Sequence, residues 1–292
     1  MIRKMLPIAL VLALAACSQQ SAPPATESAP AAAPDEPAAA PSALDAAIAG
    51  AWRTPEFVAR DVYRNPKATL EFFGVRPDMT VVEIWPGGAG WYAEILAPLL
   101  RDQGRYIGAV SDPAKAASER ARDYAAEQNA RLRAKFEAQP EVYGQATLVE
   151  VDPAAPVFGE PGSADAVLTF RNVHNWMMGG HAQPMFDGFF AVLRPGGVLG
   201  VVEHRADQDV PEGDRSGYVS ENQVIAFATA AGFVLEERSE INANPRDSKD
   251  HPNGVWTLPP TLRVPEGQDA QKYLDIGESD RMTLRFRKPA EQ

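Results

Sequence analysis

The stretch of sequence that decides the fold is TVVEIWPGGAGWYAEIL, residues 80–96. Its first six residues are mostly β-branched and apolar, which predicts a buried strand, and a helix is predicted over residues 91–100. Glycines between them let the backbone approach a ligand and let amide groups face it. The pattern is typical of a cofactor-binding loop, although Trp85 and Pro86 stand where such loops are usually smallest. An ordinary tight turn into a helix has the same pattern.

Outward from this stretch, strands and helices alternate with short connections. The other predicted strands are residues 105–110, 147–151, 164–170, 196–204, 233–241 and 282–287, and the other predicted helices are 113–138, 184–193 and 220–231. Alternation of this kind predicts an α/β fold in which a seven-stranded, mostly parallel sheet carries helices on both faces. In such open sheets, ligands bind beyond the carboxyl ends of the strands.

The predicted domain spans residues 42–292 and includes two segments outside this regular alternation. Residues 42–74 have the caps and proline positions of several N-terminal helices. Residues 242–280 form an insert rich in Pro, Asn and Asp that is too long for a plain connector. Because the insert contains Trp256 and Leu258, we expect an ordered functional loop rather than a disordered one.

The N-terminus has the features of a secretory signal: two basic residues, a short apolar run and small residues up to Cys17. The run Leu14-Ala-Ala-Cys17 resembles the lipobox of bacterial lipoproteins. The resemblance implies removal of residues 1–16, lipidation of Cys17 and a membrane anchor, and Ser18 in place of Asp points to the outer membrane facing the periplasm. A buried cysteine in an ordinary helix is the alternative. Residues 17–41, mostly Ala and Pro, predict a disordered tether.

The charge and cysteine content exclude other classes of protein. The formal net charge is −11, and removal of residues 1–16 would take away Arg3 and Lys4 and leave −13. Because an acidic protein repels phosphate backbones, we expect no nucleic-acid partner. A single cysteine excludes an intrachain disulfide framework.

Three later motifs carry a family resemblance. VLRPGGVLGVVEH (192–204), ADAVLTFRNVHNW (164–176) and LVEVDPAAP (148–156) resemble strands and turns of class I S-adenosylmethionine (SAM) methyltransferases. The likeness covers roughly residues 75–241 and the last strand. EIWPGG, RNVHNW and DHPNGVWTLPP together resemble an often exported bacterial family labelled predicted methyltransferases. The resemblance implies a Rossmann-like class I methyltransferase fold, SAM as cofactor and a small-molecule substrate.

The same resemblance implies a set of cofactor-binding residues. They are Glu83, Gly87, Gly88, Gly90, Asp112, Asp152, Arg171 and Asn172. This sequence also departs from the family pattern, because Trp85 and Ala89 replace two loop glycines and Val110 stands where the family has a ribose-binding acid. Asp112 follows two residues later and would reach the ribose only if the turn bulges.

The chain has four histidines, of which His174 follows one predicted strand and His204 ends another at the same sheet edge. His174 and His204 are the candidate catalytic residues, because imidazole titrates near neutral pH and can act as a general base. They could instead cap strands or pack in loops. The primary expectation is a site without a metal. The alternative is a metal bound by His174, His204 and His251, with Glu203 or Asp250 as a further ligand.

Three functions are compatible with these features. The first is a SAM-dependent methyltransferase that acts on a small molecule and is anchored in the cell envelope. The second is an envelope lipoprotein of the same fold that binds another ligand or a metal, since the lipobox exports the chain whereas SAM is made in the cytosol. The third is a structural lipoprotein without a ligand, which the cluster of polar and aromatic residues at one sheet edge disfavours.

Overall fold

The computed structural model describes residues 42–290. The predicted signal segment, Cys17 and the predicted tether lie outside the described residues, as do the last two residues. Within residues 42–290, no helix combines the length and the apolar character needed to cross a bilayer.

The described chain forms eight strands and eleven α-helices. The strands are β1 (Thr80–Ile84), β2 (Arg105–Ser111), β3 (Thr147–Val151), β4 (Ala164–Phe170), β5 (Leu193–Ala206), β6 (Val219–Ser220), β7 (Val234–Ser239) and β8 (Arg281–Arg287). The helices are α1 (Ala43–Ile48), α2 (Pro55–Val58), α3 (Asp61–Arg64), α4 (Pro66–Phe72), α5 (Ala93–Leu100), α6 (Glu119–Ala138), α7 (Pro140–Tyr143), α8 (Val173–Gly179), α9 (Ala182–Val192), α10 (Glu221–Ala230) and α11 (Ala270–Ile276).

The strands form one mixed sheet in the order β3-β2-β1-β4-β5-β8-β7, and the short β6 pairs with the end of β5. β8 is antiparallel to both of its neighbours, whereas the pairs from β3 to β5 are parallel. The chain order reverses direction between β1 and β4, and this switch point is where open α/β sheets bind ligands. The predicted α/β class with a mostly parallel sheet is confirmed.

Both faces of the sheet are covered. Neighbouring residues of β1 point to opposite faces, so Val81 joins the core under α4, α5 and α6, and Val82 joins the core under α8, α9 and α10. Both valines are fully buried. Apolar strands are expected in a sheet that is covered on both faces.

The structure differs from the predicted elements mainly next to the site. Residues 173–179, for which the sequence predicts no helix, form α8. The predicted helix over residues 113–138 begins only at Glu119, because the Ser118 side chain accepts a hydrogen bond from the Ala121 amide and caps α6 there. The insert of residues 242–280 is ordered, and the Asn244 side chain ties its two ends together through the carbonyls of Ile276 and Glu278.

Candidate active site

A pocket of about 360 Å³ lies at the carboxyl ends of β1, β2 and β4, and we call it the glycine-loop pocket. This volume is at the lower end of the range of roughly 300–1,000 Å³ that small-molecule sites occupy. α6 supplies much of its wall. It is lined by Trp85, Gly87, Val110, Ser111, Ala121, Tyr124, Ala125, Gln128, Asn129, Asn172 and Asn175.

The loop glycines have two different roles. Gly87 has a φ of +71°, and a Cβ there would meet nothing within 4 Å, so this position is reserved for glycine by its backbone conformation. A Cβ on Gly88 would lie 2.5 Å from Gln128 Oε1, and one on Gly90 would lie 2.8 Å from Leu132 Cδ1. Gly88 and Gly90 therefore let α6 pack directly on the loop, and only Gly87 of the three predicted glycines lines the pocket.

Trp85 narrows the pocket without filling it. Its φ is +47°, which turns the chain sharply after β1, and its ring meets the edge of the Trp176 ring at a centroid distance of 5.7 Å. Trp176 is almost completely buried. The indole is therefore held as a wall, and the pocket of about 360 Å³ remains beside it.

Glu83 lies outside this pocket, contrary to the predicted role. Its buried side chain accepts a hydrogen bond of 2.8 Å from the Tyr106 hydroxyl, inside the core under α5 and α6. Burial raises the pKa of Glu83 to about 8, although the Tyr106 hydrogen bond and the charge of Arg171 oppose the shift. At neutral pH this carboxyl group is mostly protonated and is a component of the core.

Asp112 and Asp152 also lie outside the residues that line the pocket. Each follows a strand and accepts a hydrogen bond from the amide two residues later, at 2.8 Å from Ala114 and 2.9 Å from Ala154. Such Asx turns are a local use of an aspartate. The end of β2 contributes Val110 and Ser111 to the pocket instead.

Asn172 is brought to the pocket as predicted, and it also fixes the sheet edge. Its buried side-chain amide donates a hydrogen bond of 2.8 Å to the carbonyl of Ile84 and one of 3.2 Å to Thr169 Oγ1. These two hydrogen bonds join the ends of β1 and β4. A weaker signal in the sequence indicates the opposite wall of the pocket. Gln128 and Asn129 are adjacent amides in a helix otherwise rich in Ala, Glu and Arg, and Asn129 donates 2.9 Å to the Ser111 carbonyl.

A second group of side chains surrounds Glu203, which is fully buried near the end of β5. Its carboxylate accepts hydrogen bonds from the amides of Val173 at 2.6 Å and His204 at 2.8 Å. It also lies 3.0 Å from His174 Nδ1. Because a carboxylate only accepts, Nδ1 carries the proton and Nε2 is the basic atom of His174. A carboxylate–histidine pair of this kind orients a general base.

His204 lies next to His174 but in a different electrostatic environment. The two ring centroids are 5.4 Å apart, and His204 Nδ1 lies 2.5 Å from Ser279 Oγ. Burial lowers the pKa of His204 well below its usual range, and the charges of His174 and Arg171 lower it further. His204 is therefore neutral at pH 7 and a weak base, which makes His174 the better candidate for proton transfer.

His174 lines a second pocket, of about 330 Å³, which we call the histidine pocket. The same helix borders both pockets, since Asn175 of α8 lines the glycine-loop pocket whereas Met177 and Met178 line the histidine pocket. The histidine pocket is lined by His174, Met177, Met178, Gly180, Ala182, Gln183, Pro184, Val210, Pro211, Glu212, Gly213, Asp214, Gly217, Tyr218, Val219, Gln223 and Phe227.

The structure does not bring His251 to the other histidines. His251 Nε2 lies 2.8 Å from Asp247 Oδ1, and its ring packs against Tyr273. Among the described residues, the group with metal-ligand spacing is His174, Glu203 and His204, whose ligand atoms lie within 4.8 Å of one another. The alternative that combined His174 and His204 with His251 is therefore not supported by the geometry.

Arg171 follows β4 with a φ of +63° and is not among the residues that line either pocket. Its charge interacts with Arg281, Glu278 and Tyr92, so it lies on the side of the sheet edge formed by α3 and β8. Burial and the repulsion from Arg281 lower the pKa of Arg171 to about 10. The predicted cofactor-binding role of Arg171 therefore has no support in its position.

Comparisons with known proteins place the fold but not the substrate. No protein-family model and no curated protein matches the chain. Among solved structures, the 4+2 cyclase SpnF is similar, with a TM-score of 0.54, 17% identity and coverage of 78% of this chain and 82% of that chain. A proposed sarcosine dimethylglycine methyltransferase from Galdieria sulphuraria has a TM-score of 0.51, 12% identity and coverage of 81% and 91%. A proposed methyltransferase from Haloferax volcanii, in complex with a methyltransferase activator, has a TM-score of 0.50, 13% identity and coverage of 81% and 94%.

These similarities extend over most of each chain at low sequence identity, so they concern the fold. One of the three proteins is named for a cyclisation, and a shared fold does not fix the chemistry of the site. The chain has the Rossmann-like α/β fold of class I SAM-dependent methyltransferases, with its two pockets and its carboxylate–histidine pair at the ligand-binding edge of the sheet.

Proposed function

We propose that the protein is a SAM-dependent methyltransferase that acts on a small molecule. The observation that carries the proposal is the glycine-loop pocket, which lies at the switch point of the sheet and combines Gly87 with polar and aromatic walls. The faces of Trp85 and Tyr124 suit adenine and a sulfonium cation, since aromatic faces attract cations. Ser111, Asn172 and Asn175 offer hydrogen bonds to the polar groups of the cofactor.

The residues present fit the cofactor only in part. The pocket lies where the fold binds SAM and has a suitable size, but no carboxylate is among its lining residues. Recognition of ribose and of the amino group would therefore depend on neutral hydroxyl and amide groups. When bound, SAM supplies a methyl group on a sulfonium, which a nucleophilic oxygen, nitrogen or carbon atom attacks.

His174 has the geometry to remove a proton from the nucleophile. Its Nε2 has no hydrogen-bond partner among the described residues, and Nδ1 is held by Glu203. Glu203 would also stabilise the imidazolium that forms when His174 accepts the proton. The pockets on both sides of α8 would exclude water and position the substrate, which is the main contribution that a protein makes to methyl transfer.

A matched pair of glycine variants tests cofactor binding. Gly87 and Gly74 have φ values of +71° and +70°, and a Cβ on either meets nothing within 4 Å. Substitution by Ala at either position introduces the same backbone strain, about 1–2 kcal/mol. Gly87→Ala should also weaken binding of S-adenosylhomocysteine in calorimetry, whereas Gly74→Ala should not. Absence of binding to the wild-type protein at millimolar concentration would contradict the proposal.

The role of His174 is tested separately. His174→Gln should reduce transfer of a labelled methyl group from SAM to small molecules of a cell-envelope extract by about 10²–10⁴-fold. The affinity for S-adenosylhomocysteine should not change. A His251→Gln variant serves as the control, since it also replaces a buried histidine paired with a carboxylate but is not a member of the group of His174, Glu203 and His204.

A second candidate function, a metal-binding protein of the same fold, is favoured by the spacing of His174, Glu203 and His204. Glu203 is a poor ligand because its oxygens already accept hydrogen bonds from three backbone amides and from His174 Nδ1. If this function holds, purified protein contains stoichiometric zinc that His174→Gln removes and His251→Gln retains. Metal-free protein that binds S-adenosylhomocysteine would exclude it.

Export and membrane anchoring belong to the same proposal and depend on the N-terminal sequence. Arg3 and Lys4, the apolar run and the Leu14-Ala-Ala-Cys17 sequence support cleavage before Cys17 and lipidation of its thiol. Cells that express the full chain should incorporate labelled palmitate into it, and Cys17→Ser should abolish the label. Incorporation that is unchanged in Cys17→Ser would contradict this anchor.

A further inference from the structure

Four arginines converge beside His204 at the edge of the sheet, and we call them the arginine cluster. They come from three separate parts of the chain, and Arg281 stands opposite His204 in the register of β5 and β8. The members are Arg60, Arg64, Arg171 and Arg281. None of the four was identified as part of a cluster by the sequence, because their positions span more than two hundred residues.

One carboxylate serves three of these arginines. Glu278 accepts hydrogen bonds from Arg60 Nε at 2.7 Å, from Arg64 Nε at 3.1 Å and from Arg281 Nη2 at 2.7 Å. Four guanidinium groups against one carboxylate leave an excess of three positive charges. The charges of Arg64, Arg281 and Arg171 hold the pKa of Glu278 at about 2, although burial opposes them, so this carboxylate is ionised at neutral pH.

Neither Glu83 nor Asp280 balances this excess. Glu83 interacts with Arg171, but burial raises the pKa of Glu83 to about 8, so it carries little negative charge at pH 7. Asp280 is adjacent in sequence, but it already forms salt bridges with Arg205 and Lys249. The arginine cluster is therefore short of negative charge.

The cluster is also short of hydrogen-bond acceptors. Arg60 Nη2 is buried and has no partner among the described residues. Arg171 forms no salt bridge with a carboxylate of residues 42–290, although three charged groups of the cluster act on it. Buried donors and charges without partners are costly, and native proteins rarely keep them without a reason.

Burial and, after it, mutual repulsion lower the pKa values of two members of the cluster. Burial lowers the pKa of Arg64 well below its usual range, and the charges of Arg171, Arg60 and Arg281 lower it further against the attraction of Glu278. The pKa of Arg171 is lowered to about 10 by burial and by Arg281. An anion placed among these groups would relieve the repulsion.

We propose that the arginine cluster is an oxyanion-binding site, which takes the carboxylate or phosphate group of a small-molecule ligand. The planar fork of a guanidinium pairs with such groups through two parallel hydrogen bonds. Arg281 is paired with His204 across β5 and β8, and the Arg171 amide donates to the Val202 carbonyl of β5, so the anion binds beside the histidines of the candidate active site. Oxyanion binding itself does not require SAM. Its assignment to the methyl-accepting substrate rests on the proposed function.

Titration of the full chain with two probes tests the site. Inorganic phosphate and acetate are added separately at constant ionic strength, with chloride as the balancing anion. We expect saturable binding in calorimetry and a saturable rise of Tm with at least one probe, and the better probe identifies the class of oxyanion. Saturation by neither probe in the millimolar range would overturn the proposal.

Arginine variants separate a binding site from a purely structural network. Arg171→Gln should lower the affinity for the better probe about tenfold or more, because it removes a charge-assisted hydrogen-bond donor. Without the probe, this variant should keep or raise the wild-type Tm, because it removes an unpaired cation. Arg60→Gln is the second variant and should weaken the probe in the same way. Arg131→Gln, on the exposed side of α6, is the control.

The outcomes distinguish this proposal from the proposed methyl transfer. Wild-type affinity for the probe in both Arg171→Gln and Arg60→Gln would overturn the oxyanion site. A parallel titration of the wild-type protein with S-adenosylhomocysteine tests only the cofactor. Probe binding without cofactor binding would retain the oxyanion site and contradict the methyltransferase.

Discussion

The glycine-loop pocket and the arginine cluster lie at the same sheet edge but differ in origin and in charge. The pocket is built largely from two stretches close in sequence, the loop after β1 and the helix α6, and its lining residues carry no charged group. The cluster is assembled from positions between Arg60 and Arg281 and carries more positive charge than its one carboxylate balances. One edge therefore offers two chemically distinct places, a neutral one suited to a nucleoside and a cationic one suited to an anion.

Glu203 holds residues next to both regions, because it accepts from the Val173 amide, which follows Asn172 of the pocket, and from the His204 amide opposite Arg281. Its removal should have the largest effect. Glu203→Ala leaves the amides of Val173 and His204 unpaired inside the protein and frees the His174 ring. We expect the free energy of unfolding, measured with urea, to fall by about 3–5 kcal/mol. The loss should affect the region of His174 and His204 more than the glycine-loop pocket.

Glu160→Ala provides the matched control, since Glu160 is exposed. Its free energy of unfolding should stay within about 0.5 kcal/mol of the wild type. If Glu203→Ala is as stable as this control, Glu203 does not organise the histidine side of the edge.

The pH dependence of stability should show that Glu83 belongs to the core and not to the pocket. Its pKa is about 8 in the folded protein against 4.5 in a free side chain. Between these values the folded state binds more protons than the unfolded state, so the free energy of unfolding falls as the pH rises. The decrease from Glu83 is complete above pH 8.

Glu83→Gln isolates this contribution because glutamine does not titrate and can still accept from Tyr106. Each pKa unit corresponds to about 1.4 kcal/mol, so between pH 5 and pH 9 the free energy of unfolding of Glu83→Gln should rise by about 4 kcal/mol relative to that of the wild type. Urea denaturation at several pH values measures the difference. Parallel curves for the two proteins would mean that Glu83 is solvated, as a ligand-binding acid would be.

The sequence predicted backbone positions at this edge better than side-chain directions. The alternation of strands and helices correctly predicted the sheet, and it correctly placed Gly87, Asn172 and His174 at its carboxyl edge. The family resemblance implies a cofactor-binding role for Glu83, whereas its side chain is buried against Tyr106, and the sequence alone does not show to which face of the sheet a strand residue points. Asp112 and Asp152 were assigned from family positions, but each forms a local turn.

Long-range contacts account for what the sequence could not indicate. Gln128 reaches the pocket because α6 packs on Gly88 and Gly90, and that contact depends on the position of a whole helix. Glu278 becomes the shared partner of Arg60, Arg64 and Arg281 only after the insert has folded back on α3. Periodicity and local motifs contain no information about such contacts between residues that are distant in sequence.

Substitution of Trp85 tests whether the glycine-loop pocket can bind adenosine or is blocked by the indole. Its ring forms a wall beside Trp176, with the pocket of about 360 Å³ next to it. Trp85→Ala should therefore lower the affinity for S-adenosylhomocysteine, measured by calorimetry, about tenfold, because it removes a stacking surface that contributes about 1–2 kcal/mol. Phosphate binding to the arginine cluster should not change. Tighter binding of the cofactor analogue in Trp85→Ala would show that the indole obstructs the pocket.

Gln128→Ala should have the smallest effect on stability, and it tests whether α6 stabilises the conformation of the glycine loop. Its side-chain oxygen accepts a hydrogen bond of 3.1 Å from the Gly88 amide, which joins α6 to the glycine loop. Gln128→Ala should lower the free energy of unfolding by about 1 kcal/mol, the usual net value of one such hydrogen bond. Glu127→Ala, at the exposed neighbouring position of the same helix, controls for helix propensity. If both variants lose the same stability, the Gln128–Gly88 hydrogen bond does not hold the loop, and the loop conformation depends on its own glycines.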